Sequence, residues 1–323
     1  MTPPDVAPPG APAVAVGAVA ASLGRSRAVA DAPAAVLDPA VRDQLLANGH
    51  ERYTEAGDLG VLMGEAVEKS LASAGLPAGE VDRVILVSEN LTVGATKVAV
   101  EDGRAAIHAR FHRIGLGRAP VTALTYAGCN GSVEALQFAK LLVDAGLARN
   151  VLVVAADGVL PGAARVLPPA VAVLGDGAVA ALVSTQGRPS DVAVIGDYWT
   201  AGFLEVATFR DRGDDFAATL VSLGRALASM RRRLPPRDAD DVLACNNYGL
   251  STVTMFTKVL GFEPGSAFVG NVAQHGHIGN VDILCNVADA VAAHPGAGTV
   301  YALGTAHTAL SILALRPSVP GAS

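Results

Sequence analysis

A single cysteine lies between glycines in the stretch TYAGCNGSVEAL, where a helical pattern begins. A thiol at a helix N-terminus faces the positive end of the helix dipole, which lowers its pKa and favours the nucleophilic thiolate. The neighbouring Gly128 and Gly131 allow a sharp turn from strand to helix and a close approach of the backbone. We therefore expect Cys129 to be a nucleophile on an elbow. The simpler alternative is a small buried residue, as most free cysteines are.

A histidine occupies the equivalent position in an internal repeat. The stretch GCNGSV (Gly128–Val133) is matched by GHIGNV (Gly276–Val281), and each is followed by an amphipathic helical pattern and an apolar strand. Further matches in the same order indicate a duplication of about 150 residues. If the two copies pack about a pseudo-twofold axis, Cys129 and His277 open two central helices and can face each other.

Alternating strands and helices must position these two residues. Strands are predicted at 13–17, 83–88, 119–124, 150–158, 178–184 and 192–196, and helices at 58–74, 100–111 and 132–145. This order is typical of an α/β protein. We expect a flexible Pro-rich tail at 1–12, a first half at 13–186 and a second half at 187–323.

Composition excludes several classes of function. The chain has 323 residues, of which 51% are hydrophobic and 17% charged, with a net charge of −6. No long basic run is present, so we expect no nucleic-acid partner. Cys129, Cys245 and Cys285 are too few and too scattered for a disulfide framework, which favours the cytoplasm. No signal peptide or membrane helix is predicted, and no metal site, although the HGH stretch with His307 has suitable ligand types.

Four segments in order resemble the thiolase superfamily and, within it, the β-ketoacyl-acyl-carrier-protein synthase III group. They are the cysteine segment at 123–157, LGDGAVAALVS at 174–184, the histidine segment at 246–283 and ALGTAHTALSILAL at 302–315. The resemblance implies an α-β-α-β-α layered sandwich of two pseudo-symmetric halves that forms a homodimer. It also implies acyl transfer from a thioester through Cys129, with no cofactor besides the thioester substrate itself.

The catalytic pair of that family is exchanged in this chain. The position of the family's catalytic histidine holds Asn246, and the position of its catalytic asparagine holds His277. The resemblance therefore implies a Cys129, His277 and Asn246 site. The altered Gly-rich loop implies oxyanion donors among Gly304, Thr305 and Ala306 and a pocket position for His307. We interpret Asn247, Tyr248 and Asp176 as turn residues and His275 as structural.

Three functions remain open at this point. The family reaction is decarboxylative Claisen condensation with a malonyl thioester, and the base rate of the family favours it. Alternatively, His277 acts as a general base for an alcohol or amine, which gives an ester or amide. The third possibility is a non-catalytic partner subunit. The resemblance implies a coenzyme A or carrier-protein thioester as the acyl donor, and NGHERY at 48–53 lacks the family's coenzyme A-binding pattern, which favours the carrier protein.

Overall fold

The computed structural model describes residues 12–89, 100–125, 127–160, 162–202, 214–306 and 309–318, with backbone alone for 100–104 and 214–220. The strands are β1 (Val14–Leu23), β2 (Arg25–Ala28), β3 (Arg52–Glu55), β4 (Arg83–Val87), β5 (Val121–Leu124), β6 (Asn150–Asp157), β7 (Val166–Leu167), β8 (Ala172–Val173), β9 (Gly177–Thr185), β10 (Asp191–Gly202), β11 (Val242–Cys245), β12 (Ala267–Phe268), β13 (Val300–Thr305) and β14 (Ala309–Pro317). The helices are α1 (Pro39–Ala47), α2 (Leu59–Ala74), α3 (Val100–Ile114), α4 (Gly131–Asp144), α5 (Asp214–Arg233), α6 (Leu250–Leu260), α7 (Val272–His275) and α8 (Val281–Ala293).

The order of strands in the main sheet repeats about its centre. The sheet runs β5-β4-β6-β9-β1 and continues as β10-β14-β13-β11-β12. In each half the three outer strands are parallel, and the next two pairings are antiparallel. The halves join where Ala15 of β1 lies opposite Val194 of β10. This mirrored order is the pseudo-symmetry that the internal repeat predicts, and the predicted division at residue 186 falls between β9 and β10.

Helices α4 and α8 lie between the two halves of the sheet. Both helices contact strands of both halves, and their apolar faces share one buried cluster with those strands. Helices α2 and α3 cover the outer face of the first half, and α5 and α6 cover the outer face of the second. The layers are therefore α-β-α-β-α, as expected. Fully buried side chains such as Leu136 of α4 and Leu284 of α8 each contribute roughly 1.5–3 kcal/mol through burial.

Local signals explain where the elements begin and end. The Asp58 side chain accepts a hydrogen bond from the N–H of Val61 at the start of α2, and Gly75 ends that helix with φ of 58°. Strand β6 is buried along its whole length, as an interior strand covered on both faces requires. Strand β1 continues beyond the predicted 13–17 to Leu23, with an irregularity after Val16. Residues 1–11 of the predicted tail lie outside the described residues.

None of the described helices is both long and apolar enough to cross a membrane.

Candidate active site

Two elbows meet at the centre of the molecule. Gly128 has φ of +56° and precedes Cys129, while Gly276 has φ of +68° and precedes His277. A Cβ on Gly128 would lie 2.6 Å from Cβ of Ala306, and one on Gly276 would lie 2.7 Å from a backbone oxygen of Val173. Glycine is therefore required at both positions by conformation and by space.

The elbows bring the two chemically active side chains together. The Sγ atom of Cys129 lies 3.3 Å from Nε2 of His277. The helix starts that follow are joined, because Ser132 donates two hydrogen bonds to Asn280. Its N–H donates to Oδ1 at 3.1 Å and its Oγ donates to the carbonyl oxygen at 2.7 Å. The repeat thus places a thiol and an imidazole within proton-transfer distance.

A carboxylate that the sequence reasoning missed completes the arrangement. Oδ2 of Asp282 lies 2.5 Å from Nδ1 of His277, and both side chains are buried. The N–H groups of Asn247 and Ile278 each donate to this carboxylate at 2.9 Å, which fixes its orientation. With Nδ1 donating to Asp282, Nε2 of the neutral imidazole is the acceptor that faces the thiol.

Two signals in the sequence point to Asp282. It is the acidic residue in the first turn of α8, and in the repeat it aligns with Glu134 of α4. Glu134 has a different role, because its Oε1 accepts hydrogen bonds from Asn130, Tyr198 and Ser311. The two acids therefore occupy equivalent positions, and one of them orients the imidazole.

Burial and nearby carboxylates set the protonation of the pair. Burial is the largest effect and raises the pKa of Cys129 well above its usual value, and the charges of Glu89, Asp157 and Asp282 raise it further. The expectation that the helix dipole lowers the pKa of Cys129 was wrong, because the net shift of that pKa is upward. Burial lowers the pKa of His277, but the charge and the hydrogen bond of Asp282 outweigh it, so that pKa is raised. The resting pair is thus a neutral thiol that needs a base.

Asn246 braces the backbone of both elbows. Its Nδ2 donates to the carbonyl oxygen of Gly279 at 2.9 Å and, at 3.4 Å, to that of Cys129. Its Oδ1 is buried and has no hydrogen-bond partner within the described part of the chain. The neighbouring Asn247, interpreted from sequence as a turn residue, holds Asp282 instead, because its Nδ2 donates to Oδ1 of Asp282 at 3.1 Å.

The predicted oxyanion segment lies against the cysteine elbow. A Cβ on Gly304 would lie 2.8 Å from Cα of Asn130, so this backbone needs glycine for its close approach. The N–H of Ala306 donates to the carbonyl of Ala309 at 2.8 Å, so it is used inside the β13–β14 hairpin. Hydrogen-bonded pairs alternate in an antiparallel ladder, so the N–H of Gly304, which lies opposite Ser311, is used in the same hairpin. Thr305 remains as the candidate backbone donor of this segment. His307 lies outside the described residues.

The other polar candidates have structural surroundings. Asp176, interpreted as a turn residue, forms a buried ion pair with Arg165 at 2.8 Å and accepts hydrogen bonds from two backbone N–H groups. His275 ends the short helix α7 and is half-buried. Cys245 is buried in β11, and Cys285 lies in α8 against the central core. In the described ranges, the acids with metal-ligand spacing are Asp238, Asp240 and Asp241, and two of these are exposed.

The comparisons with known proteins agree with this fold. The family model of 3-oxoacyl-[acyl-carrier-protein] synthase III matches residues 125–198, which include the cysteine elbow. The solved structure of ChlB3, described as an acyltransferase, is similar with a TM-score of 0.76 and 17% identity, covering 96% of this chain and 99% of that one. The 3-oxoacyl-(acyl carrier protein) synthase III (FabH) of Pseudomonas aeruginosa PAO1 has a TM-score of 0.72 and 22% identity, with coverage of 95% and 99%.

A third similar structure is AbyA1, a tetronic acid condensing enzyme, with a TM-score of 0.72 and 20% identity over 94% of this chain and 99% of that one. A sequence search of curated proteins finds no match. The fold is therefore that of the 3-oxoacyl-(acyl carrier protein) synthase III structures, and the family model covers the segment that contains Cys129.

Proposed function

We propose that this protein is a ketosynthase III-like acyltransferase that moves an acyl group from a thioester, through Cys129, to a hydroxyl or amino acceptor. The observation that carries the proposal is the chain of contacts from Sγ of Cys129 to Nε2 of His277, and from Nδ1 of His277 to Asp282. Acyl transfer to an acceptor that loses a proton requires a nucleophile, a base and a group that orients the base.

The first half-reaction loads the cysteine. Nε2 of His277 takes the thiol proton while Sγ of Cys129 attacks the thioester carbonyl. Asp282 stabilises the imidazolium that forms, and we expect the backbone N–H groups of Cys129 and Thr305 to stabilise the oxyanion. The carbon–sulfur bond of the donor breaks, and its thiol leaves with the proton from His277.

The second half-reaction uses the same base. The acceptor attacks the acyl-enzyme carbonyl while His277 takes a proton from the attacking oxygen or nitrogen. The bond between the acyl carbon and Sγ of Cys129 then breaks, and the sulfur recovers its proton from His277. The product is an ester or an amide, and no base besides His277 is needed.

Decarboxylative condensation is the second candidate, supported by the synthase and condensing-enzyme descriptions of two similar structures. That reaction needs two N–H donors aimed at the thioester oxygen of the malonyl group. In this protein the Asn246 amide donates to backbone carbonyls. Because Nδ1 of His277 donates to Asp282, Nε2 of the neutral imidazole is an acceptor and offers no N–H to the thioester oxygen. The geometry therefore favours the ester or amide reaction over the condensation that the family base rate favours.

The test is intact-protein mass spectrometry after incubation with acyl-coenzyme A and acyl-carrier-protein donors, with Cys129→Ala as the control. We expect a mass gain equal to the acyl group that is lost in the variant. Alcohols, amines and a malonyl thioester are then added separately, and the released product is identified. Discharge by malonyl thioester alone would favour condensation, and no acylation by any donor would favour a non-catalytic partner subunit.

Two further expectations accompany the proposal. The family resemblance favours a homodimer and a cytoplasmic location, and the missing coenzyme A-binding pattern favours a carrier-protein donor. Size-exclusion chromatography with light scattering measures the oligomeric state, and the donor panel above compares coenzyme A with carrier-protein thioesters directly.

A further inference from the structure

Glu89 is a second carboxylate beside the nucleophile, and the half-reactions above give it no role. Its Oε1 lies 3.6 Å from Sγ of Cys129, and a Cβ on Gly128 would lie 3.0 Å from the same oxygen. The N–H of Glu89 donates to Oδ1 of Asp157 at 2.7 Å, and Oδ2 of Asp157 accepts from the N–H of Asn280 at 2.7 Å. The backbone of Glu89 is therefore linked through Asp157 to the histidine elbow, while its side chain lies beside the cysteine elbow.

The sulfur of Cys129 thus has two hydrogen-bond acceptors as neighbours, Nε2 of His277 and Oε1 of Glu89. A thiol has one proton and can satisfy one of them. Once the sulfur is acylated it has no proton at all, and both acceptors beside it are left without a donor on the sulfur. A hydroxyl acceptor again supplies one proton, whereas an amine supplies two or more.

We propose that the acceptor is a primary amine and that Glu89 binds it. This inference rests on the proposed function and narrows its acceptor class. The Glu89 carboxylate accepts a hydrogen bond from the amino group, and His277 accepts the other. The charges of Glu89, Asp157 and Asp282 attract an ammonium ion and repel an acceptor that has a carboxylate at its reacting end, as a malonyl thioester has.

The transfer step balances without a further reactant. The bound ammonium first gives one proton to water. The amine nitrogen then forms a bond to the acyl carbon and gives a second proton to Nε2 of His277, while its remaining hydrogen stays directed at Glu89. The acyl carbon–sulfur bond breaks, and His277 returns its proton to Sγ of Cys129. The product is a secondary amide and the free thiol.

The experiment compares discharge of the acetyl-enzyme by propylamine, propanol and malonyl-N-acetylcysteamine. Acetyl-Cys129 is prepared with whichever acetyl thioester loads it, and loss of the acetyl mass is followed in single-turnover reactions. Rates are divided by the uncatalysed rates of the same acceptors with acetyl-N-acetylcysteamine, which removes their intrinsic reactivity. We expect the enzyme to favour propylamine over propanol by about tenfold beyond that reference. The free energy of a hydrogen bond to an exposed carboxylate is at the low end of the range for charged groups, and that end corresponds to about this factor.

Glu89→Gln tests the residue, and Glu263→Gln at an exposed loop position is the matched control. We expect Glu89→Gln to abolish the tenfold preference for propylamine and to leave propanol within about twofold, while Glu263→Gln keeps the preference. The variant should also shift alkylation of Cys129 by iodoacetamide to lower pH, since the Glu89 carboxylate raises the pKa of the thiol and its removal lowers that pKa.

Two outcomes overturn the inference and differ in what they leave standing. If propanol discharges the wild-type enzyme as well as propylamine does, or if Glu89→Gln keeps the preference, the amine assignment is wrong while acyl transfer through Cys129 stands. If neither propylamine nor propanol discharges the acetyl-enzyme and malonyl-N-acetylcysteamine does, the proposed function fails together with the inference.

Discussion

Replacing Asp282 with asparagine tests the base directly. The substitution keeps one oxygen, which can accept the hydrogen bond that the N–H of Ile278 donates to Oδ1. It removes the negative charge next to Nδ1 of His277 and introduces an amide that can donate to that nitrogen. Donation to Nδ1 would place the imidazole proton on Nε2, which could then no longer accept the thiol proton of Cys129.

The contact between His277 and Asp282 sets the expected magnitude. A hydrogen bond to a charged group contributes about 1.5–3 kcal/mol, and this bond strengthens when the imidazole becomes positively charged in the transition state. Since 1.4 kcal/mol corresponds to a factor of about ten in rate, we expect acylation of Cys129 to slow by about ten- to a hundredfold. The pH at which acylation reaches half its maximum should also fall, because Asp282 raises the pKa of His277.

Single-turnover acylation, measured by mass spectrometry across pH, is the assay. Neutral imidazole is the base, so the wild-type rate should rise with pH through a midpoint above 6.5, the usual pKa of histidine. Asp241→Asn is the control. This carboxylate is also buried, but it accepts a hydrogen bond from the N–H of Asp238 and lies outside both elbow segments. The reasoning is refuted if folded Asp282→Asn acylates within twofold of wild type with the same midpoint.

Two more substitutions examine the scaffold. Gly128→Ala should slow acylation at least tenfold and lower the melting temperature. Alanine is strained at φ of +56°, and its Cβ would lie 2.6 Å from that of Ala306. Gly79→Ala is the control and should change neither the rate nor the melting temperature, because a Cβ there meets no atom within 4 Å. Arg165→Met leaves the buried Asp176 carboxylate unpaired and should reduce the free energy of unfolding by about 3–5 kcal/mol. Urea denaturation measures this change, and a loss below about 1 kcal/mol would contradict the buried ion pair.

Two patterns in the sequence together predicted the architecture. The alternation of strands and helices predicts an α/β protein, and the match of GCNGSV to GHIGNV predicts that two helix starts are equivalent. The mirrored order of strands about β1 and β10 follows from that equivalence. The short strands β2 and β3, the helix α1 and the β7–β8 pair were not predicted, because they are too short to show a clear period.

The chemistry of the site was less predictable, because it depends on contacts distant in sequence. Asp282 has the appearance of an acid that favours a helix N-terminus, and its bond to His277 depends on the turn at Gly279. Glu89 lies 40 residues before Cys129 at the end of an apolar strand, where a charged residue is ordinary. The pKa of Cys129 depends on burial and on three carboxylates distant in sequence, and the helix dipole alone does not predict their combined effect.

The joined elbows also have an evolutionary consequence. In a symmetric pair of identical units, both elbows would carry the same residue, so such an ancestor would have two thiols or two imidazoles and no acid–base pair. Duplication within one chain removed that constraint, since each copy can change alone. The hydrogen bonds between Ser132 and Asn280 then couple the copies again, so a substitution at one elbow alters selection at the other. Among homologues, residues 128–132 and 276–280 should therefore change together.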